Sequence, residues 1–257
     1  MIRNYNQEMS SISSSLDNPY VHLKAFGGAF VIIALIFVAA AVAVSLGGVA
    51  VSVIGIGQET ALGLALMSAF QFIGFGVVGV VYAYLTDQLN RIGLTRPTSR
   101  DFVWIIGGLL ALIGLFAGIN LLFGVLGIET ADSAIIDQGQ NSPVYFLYLI
   151  PVTIFLVGPA EELIFRGLIQ TQFRDAYGSI FAVVAASTVF AAVHFSSYSG
   201  GDIFALLATL ITILALGATL GLLYERTRTL LVPAVVHGLF NTVQFVMAYI
   251  SVVNGSI

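Results

Sequence analysis

Two adjacent carboxylates, Glu161 and Glu162, interrupt an otherwise apolar stretch of the sequence, and Arg166 follows four residues after the second. Neighbouring side chains point about 100° apart on an α-helix, so the two carboxylates can hold different partners. Glu162 and Arg166 share one helix face, and this spacing predicts an ion pair between them. Glu161 is left freer, and an unpaired carboxylate in a dry environment suits general-base chemistry. The alternative is a structural cluster of caps and salt bridges at a helix end.

Further polar residues stand at helical spacing in later apolar stretches. Phe190 precedes His194 by four residues, and His237 precedes Asn241 by four. The second spacing puts the imidazole of His237 and the amide of Asn241 on one helix face, where both can donate hydrogen bonds to a developing oxyanion. The structural alternatives are an interfacial anchor for His194 and interhelical hydrogen bonds for the other pair.

The composition places these residues in a membrane protein. The chain has 257 residues, of which 58% are hydrophobic and 9% charged, and its mean hydropathy is +1.01. Soluble domains are about a quarter charged, so these few charges cannot cover a water-facing surface of this size. The sequence therefore predicts an all-α fold, a polytopic transmembrane helical bundle in the lipid bilayer, with one membrane domain over residues 1–257. The net charge of −4 argues against a nucleic-acid partner, and the absence of cysteine excludes a thiolate nucleophile.

Seven segments have the length of a membrane span, which needs about 20 apolar residues. The first is long enough to tilt or to break at Gly47-Gly48, and the fourth can continue as a helix through Phe173. The polar, Ser-rich residues 1–22 precede the first span, which we interpret as a retained span rather than a signal peptide. The predicted spans are Phe26–Ile54, Ala61–Leu85, Phe102–Leu126, Val144–Phe165, Ser179–Phe195, Ile203–Tyr224 and Leu230–Val253.

All the basic residues fall on one side of this map. Cytoplasmic loops favour Lys and Arg, so this side is predicted to be cytoplasmic, with the N-terminus inside and the C-terminus outside. The charged residues in the loops on the opposite side are all acidic. The basic residues are Arg3, Lys24, Arg91, Arg96, Arg100, Arg166, Arg174, Arg226 and Arg228, and the opposing acids are Glu59, Glu129, Asp132, Asp137 and Asp202.

Two pairs of glycines at four-residue spacing, Gly114 with Gly118 and Gly217 with Gly221, allow helices to approach closely in lipid. We expect both pairs to serve packing within the chain rather than dimerisation. The stretch 139–143 is predicted to be a loop before the fourth span. Since a helix rises about 1.5 Å per residue, the polar residues of spans four, five and seven can lie at one depth inside the bilayer.

Taken together, the three motifs resemble those of the CPBP family, the CAAX prenyl endopeptidase and bacteriocin-processing (Abi) family of intramembrane proteases. The resemblance covers about residues 151–247, predicted as the catalytic region, and the three N-terminal spans match only in being hydrophobic. The family motifs EExxxR, FxxxH and HxxxN occur here in order, on separate apolar segments, as Glu161-Glu162-Leu-Ile-Phe-Arg166, Phe190-Ala-Ala-Val-His194 and His237-Gly-Leu-Phe-Asn241.

This resemblance implies an intramembrane endopeptidase that hydrolyses a peptide bond near the cytoplasmic half of the membrane. Glu161 with His194 would activate the water, and His237 with Asn241 would stabilise the oxyanion. The implied partner is a membrane-anchored or lipidated peptide or protein substrate, which is a prenylated CAAX peptide in eukaryotic relatives. The supporting residues that hold the site in shape would be Glu162 and Arg166.

The resemblance leaves two mechanisms open, because members of the family are often labelled metalloproteases. If zinc or another divalent metal is used, Glu161, His194 and His237 are its candidate ligands, with a fourth position for water. The sequence has no HExxH pair, and the two histidines come from different spans. These features favour a glutamate-type mechanism without a metal.

Two other functions fit a bundle with polar residues at membrane depth. A transporter would use them as a substrate or proton site, but the sequence contains no inverted repeat. A catalytically inactive scaffold of the same fold would bind a membrane partner, but Glu161, His194 and Asn241 are all present. The peptidase is the favoured function, and the sequence predicts neither the substrate nor the oligomeric state.

Overall fold

The computed structural model describes residues 19–255, so residues 1–18 of the predicted polar tail lie outside the described part of the chain. Within it, seven helices are long and apolar enough to cross a membrane, which confirms the predicted all-α fold. The helices are α1 (Pro19–Val53), α2 (Ala61–Leu85), α3 (Ser99–Leu126), α4 (Ala134–Gln140), α5 (Val144–Tyr177), α6 (Ser179–Val193), α7 (Ile203–Thr227) and α8 (Leu231–Val253), and the strands are β1 (Asp132–Ser133) and β2 (Tyr198–Ser199).

The first span is one unbroken helix, so the break considered at Gly47-Gly48 is absent. These two glycines serve close packing against α2 and the loop before it. A Cβ atom at Gly47 would lie 2.7 Å from the ring of Phe70, and one at Gly48 would lie 3.2 Å from the amide of Gln58. The helix can therefore continue through both glycines while its neighbours lie against them.

Three short elements, one helix and two strands, were not predicted. The helix α4 includes Gly139 and Gln140, so the predicted loop 139–143 is wrong at its first two positions. The strands β1 and β2 pair antiparallel, with Asp132 opposite Ser199. Elements of two to seven residues are too short to produce a hydrophobic period in the sequence.

The fourth span, α5, continues through Phe173 to Tyr177 and contains two π-helical turns, Thr153–Val157 and Leu163–Gln170. Gly158 donates its N–H to the carbonyl oxygen of Thr153, and the hydroxyl of Thr171 lies 3.1 Å from the carbonyl oxygen of Arg166. Widened turns of this kind are frequent at functional sites. Here they flank the segment Gly158–Glu162, which carries both carboxylates.

One end of the bundle gathers the basic loops. Arg91 forms an ion pair with Asp175, and Glu225 receives Arg174 at 3.3 Å and Arg228 at 3.1 Å. The N–H of Leu230 also donates to the carbonyl oxygen of Gly93 at 3.1 Å. These contacts join the segments after α2, α5 and α7, which the charge pattern assigns to the same side.

The opposite end is joined by different contacts. The strand pair connects the segment after α3 to the segment after α6, and the N–H of Ala131 donates to the hydroxyl of Thr209 on α7 at 2.9 Å. The hydroxyl of Tyr145, at the start of α5, donates to Gln138 at 2.9 Å. The two ends of the bundle thus carry the loops that the span map places on opposite sides.

The two glycine pairs behave differently. A Cβ atom at Gly217 would lie 3.4 Å from the guanidinium of Arg166, and one at Gly221 would lie 2.8 Å from the amide of Gln170, so this pair lets α5 side chains reach the backbone of α7. A Cβ atom at Gly114 or Gly118 would meet nothing within 4 Å. The expected packing within the chain is therefore right for the pair on α7 and wrong for the pair on α3.

Candidate active site

A cavity of about 920 Å³ lies inside the bundle, and it brings the polar motif residues together. Glu161 from α5, His194 from the turn after α6, and His237 and Asn241 from α8 all line it. The walls also include residues of α1, α2 and α3, among them Ile36, Gln71 and Asn120. The three N-terminal spans therefore form part of the cavity wall.

Behind the cavity wall, one carboxylate oxygen of Glu162 accepts hydrogen bonds from two buried side chains. Its Oε1 accepts from Nη1 of Arg166 at 3.1 Å and from Nδ1 of His237 at 2.8 Å. Nη2 of Arg166 donates to the carbonyl oxygen of Gly217 at 2.8 Å, where the missing side chain leaves room for the guanidinium. The side chain of Glu162 is 0% exposed and that of Arg166 1%. The predicted ion pair between them is confirmed, and it links α5 to both α7 and α8.

Glu161 lies on the other side of the same imidazole. Its Oε2 is 3.6 Å from Nε2 of His237, so the ring stands between the two carboxylates. Because Nδ1 donates to Glu162, the ring orientation is fixed and Nε2 faces the cavity and Glu161. Tyr198 lines the cavity as well; burial, and then the negative charge of Glu161, raise the pKa of its phenol. The phenol is therefore a neutral donor at ordinary pH.

The second histidine, His194, ends α6 and is oriented by its own helix. Its Nδ1 lies 2.7 Å from the carbonyl oxygen of Phe190. A carbonyl oxygen only accepts, so Nδ1 carries the proton and Nε2 is left as an acceptor. The Phe190 ring packs 4.6 Å from the His194 ring and 6.0 Å from the His237 ring, with the guanidinium carbon of Arg166 4.7 Å from its centre. One phenylalanine thus contacts both histidines and the buried cation.

Asn241 is positioned by a threonine on α5. Its Nδ2 donates to the hydroxyl of Thr153 at 3.1 Å. Thr153 is 1% exposed and begins the first π-helical turn. The bond engages one amide hydrogen, and the second amide hydrogen and Oδ1 remain for other partners.

Two glycines allow α5 and α8 to cross closely enough for these contacts. A Cβ atom at Gly158 would lie 2.6 Å from the carbonyl oxygen of Ala234, and one at Gly238 would lie 2.9 Å from the Cα atom of Ile154. Both distances are to backbone atoms, which cannot move without moving the helix. The glycines stand beside Glu161 and His237 in the sequence, so the closest approach of the two helices coincides with the site.

The described residues do not fit the metal site considered from the sequence. Across residues 19–255, no group of three or more His, Cys, Asp and Glu side chains is arranged to hold a metal ion. Nδ1 of His237 faces Glu162 and Nδ1 of His194 faces a carbonyl oxygen, so only the Nε2 atoms of the two rings are available as ligands. A protein zinc site with an open position needs three converging ligands.

Sequence reasoning identified the motif residues but missed those that hold them. Thr153, Gly217 and Tyr198 each contact or influence a motif residue, and none was singled out for that role. Thr153 carries a weak signal, because it is the single Ser or Thr between residues 144 and 161, two turns before Glu161. The contact of Glu161 is also different from the expected one: the ring it faces is that of His237, whereas His194 shares the cavity with it.

Comparisons with known proteins find similarity to a peptidase family over the part of the chain that carries the motifs. Residues 143–243 match the family described as type II CAAX prenyl endopeptidase Rce1-like. The chain is 28% identical over 188 residues to the "Putative membrane peptidase YdiL" of Bacillus subtilis (strain 168), covering 71% of each protein. It is 34% identical over 110 residues to the "Uncharacterized protein YpbD" of the same organism, covering 42% of this chain and 51% of YpbD, so the match spans about half of that relative. No solved structure matches the chain.

Residues 143–243 thus match the family of Rce1-like type II CAAX prenyl endopeptidases, the CPBP family that the motifs resemble. This match confirms the resemblance that the motifs of the chain indicate. Its seven long apolar helices make it a multi-pass membrane protein, and over 71% of its length it is similar to a relative named as a putative membrane peptidase.

Proposed function

We propose that this protein is an intramembrane endopeptidase that hydrolyses a peptide bond in a membrane-anchored or lipidated peptide or protein. The observation that carries the proposal is the convergence of Glu161, His194, His237 and Asn241, from three separate elements, on one cavity. Hydrolysis of an amide needs a base for the water and donors for the oxyanion within a few Å of one another, and this set contains both.

In the proposed reaction, Glu161 accepts a proton from a water molecule while the water oxygen attacks the scissile carbonyl carbon. Nε2 of His194, an acceptor because Nδ1 is engaged, orients that water. When the tetrahedral intermediate collapses, the C–N bond breaks and Glu161 returns its proton to the leaving amine. One carboxyl group thus serves as base and then as acid.

The oxyanion is stabilised by His237 and Asn241. In this role His237 carries a proton on both nitrogens, and the carboxylates of Glu161 and Glu162 on either side of the ring stabilise the cation. Asn241 donates its second amide hydrogen, since Thr153 holds the first. Donors fixed before the reaction cost little reorganisation, and one such donor contributes about 10²–10³ in kcat.

We place the protein in the cell membrane with its N-terminus in the cytoplasm and its C-terminus outside, on the strength of the charge pattern. The catalytic region is residues 151–247, with the first three spans completing the cavity wall. The absence of an inverted repeat in the sequence, a feature of many transporter folds, favours the peptidase over a transporter.

The test is peptide hydrolysis by the protein in nanodiscs, using a panel of membrane-anchored and prenylated peptides in ¹⁸O-enriched water. Mass spectrometry should detect new peptide ends that carry one ¹⁸O atom in the new carboxylate. Glu161→Gln should lower the rate by about 10²–10⁴, the contribution of a general base. Glu59→Gln, an exposed variant in the loop between α1 and α2 away from the cavity lining, is the matched control and should retain the wild-type rate.

Equal cleavage by wild type and Glu161→Gln would refute the assignment of Glu161. No cleavage by either protein across the panel would count against the peptidase and favour the transporter or the inactive scaffold.

A further inference from the structure

The cavity extends from the motif residues toward only one end of the bundle. Its lining on α5 runs from Tyr145 to Phe165, and on α8 it begins at His237 and continues toward the C-terminal end. On α7 it stops at Leu220, before the end of that helix that carries Glu225. The walls therefore occupy the part of the bundle between the site and the end that contains α4 and the β1–β2 pair.

The cavity reaches its mouth at that end. Residues 130–138, which include part of the loop after α3, β1 and most of α4, line it without interruption, and so do Ser196, Ser197 and Tyr198. Asp132, Asp137 and Ser196 are exposed. These residues form the rim, and every charged residue in it is acidic.

The other end of the bundle is closed beneath the site. Arg166, Gln170 and Thr171 are buried, and Gln170 bridges α5 to α7 by donating to the carbonyl oxygen of Gly221 at 3.1 Å and to Glu225 at 2.9 Å. Below them lie the ion pairs of the basic loops. In the described part of the chain, no residue of the segments 86–98, 174–178 or 225–230 lines the cavity.

The direction of the cavity and the charge pattern together decide which side of the membrane supplies the substrate. The positive-inside rule assigns the end with the basic loops to the cytoplasm. The mouth is at the opposite end. Cytoplasmic access, which the family resemblance suggests, and a cytoplasmic N-terminus, which the charges predict, therefore cannot both hold for this chain.

We propose that the cavity opens to the non-cytoplasmic face, so that Glu161 is reached from outside the cell. The substrate class, which rests on the proposed peptidase function, follows from this geometry. It is the extracytoplasmic segment of a membrane-anchored protein, or a lipid-anchored peptide that has already been exported. A C-terminal segment that remains in the cytoplasm does not reach the site.

The test uses the natural absence of cysteine, which makes every introduced thiol the only one in the chain. Five single variants are expressed in intact cells: Ser196→Cys at the rim, Asn120→Cys and Gln244→Cys in the cavity wall, Thr95→Cys in a basic-end loop, and Asn254→Cys after α8. A charged, membrane-impermeant thiol reagent is added before or after permeabilisation. The extent of labelling is measured by the mass of the purified protein, and Asn254→Cys reports the outer face away from the cavity.

The proposal predicts labelling of the rim, cavity and Asn254→Cys positions in intact cells, and of Thr95→Cys only after permeabilisation. The opposite pattern, with Thr95→Cys labelled in intact cells and the rim protected, would overturn it. Labelling of the rim but of neither cavity variant from outside would also overturn it, because the cavity would then be closed at its mouth. Two cavity positions on α3 and α8 are used so that misfolding of one leaves the test intact.

Labelling does not depend on catalysis, so its outcome is separate from that of the peptidase assay. Outside labelling without peptide hydrolysis would uphold the access face and reject the proposed function. Labelling of the rim and cavity only from the cytoplasmic side, together with peptide hydrolysis, would uphold the proposed function and reject the access face.

Discussion

Removing the guanidinium of Arg166 is the sharpest test of the buried cluster. Arg166→Met keeps most of the apolar stem but leaves Glu162, which is 0% exposed, without its charged partner. Breaking a buried ion pair by removing one partner costs about 3–5 kcal/mol, because the remaining charge stays buried. The bond to the carbonyl oxygen of Gly217 at 2.8 Å is lost as well. At 1.4 kcal/mol per tenfold, we expect the folded-to-unfolded ratio to fall by about 10²–10³ or more.

The assay is equilibrium unfolding in mixed micelles, followed by the fluorescence of Trp104, the single tryptophan of the chain. Trp104 lies on α3 and packs against a core cluster that includes Leu223 of α7 and Val236 of α8, so its emission reports the separation of these helices. Arg91→Met is the matched control, since Arg91 and its partner Asp175 are 43% and 42% exposed. An exposed pair of this kind contributes about 0–1 kcal/mol.

The double variant Arg166→Met with Glu162→Gln decides whether the unpaired charge is the cause. Glutamine can still accept from Nδ1 of His237 but carries no charge, so the double variant should be more stable than Arg166→Met alone. The reasoning is refuted if Arg166→Met loses no more stability than the Arg91 control, or if neutralising Glu162 restores none of the loss.

Three further outcomes follow from the described contacts. Gly238→Ala should lower the rate of hydrolysis by tenfold or more, because the new Cβ atom would push α8 away from Ile154. Gly114→Ala is the control, since its Cβ atom would meet open space and the rate should not fall. Equal losses of rate in the two variants would contradict this prediction. Thr153→Val should lower kcat about tenfold with little change in KM, because the amide of Asn241 loses its orientation, and steady-state kinetics would expose a change in KM alone. Burial and the charge of Glu161 raise the folded pKa of Tyr198 above the usual value of about 10. The unfolded phenol therefore ionises first, and stability should fall above about pH 10; Tyr198→Phe should lose less over that range in the same unfolding assay, and an identical loss would disprove the link.

The sequence predicts the seven spans well because length and uniform apolarity are the only requirements of a helix in lipid. The bounds of α2 are those predicted, and the other spans shift by a few residues at their ends, except the long extension of α5 and the earlier start of α1. Length and apolarity could not predict α4 or the β1–β2 pair. Each is short, lies outside the lipid-facing helices and forms through contacts with distant segments.

The candidate site was predictable as a set of residues but not as a set of contacts. The i, i+4 spacing of Glu162 and Arg166 predicts their pairing, because one helix face is enough to define it. Which imidazole stands between the two carboxylates depends on how α5 crosses α8. Gly158 and Gly238 allow that crossing. The sequence contains many glycines, and it does not indicate which of them another helix packs against.

The two π-helical turns of α5 also constrain how the chain can change in length. Deleting one residue within Leu163–Gln170 would rotate one half of the helix against the other by about 100° and shift it by about 1.5 Å. The donor to the carbonyl oxygen of Gly217 and the carboxylates facing His237 would then lose their common register. Substitutions along this helix can be repaired by neighbouring substitutions, whereas a single insertion or deletion cannot. The stretch from Thr153 to Gln170 is therefore fixed in residue count, while the loops at either end of the bundle are free to grow or shrink.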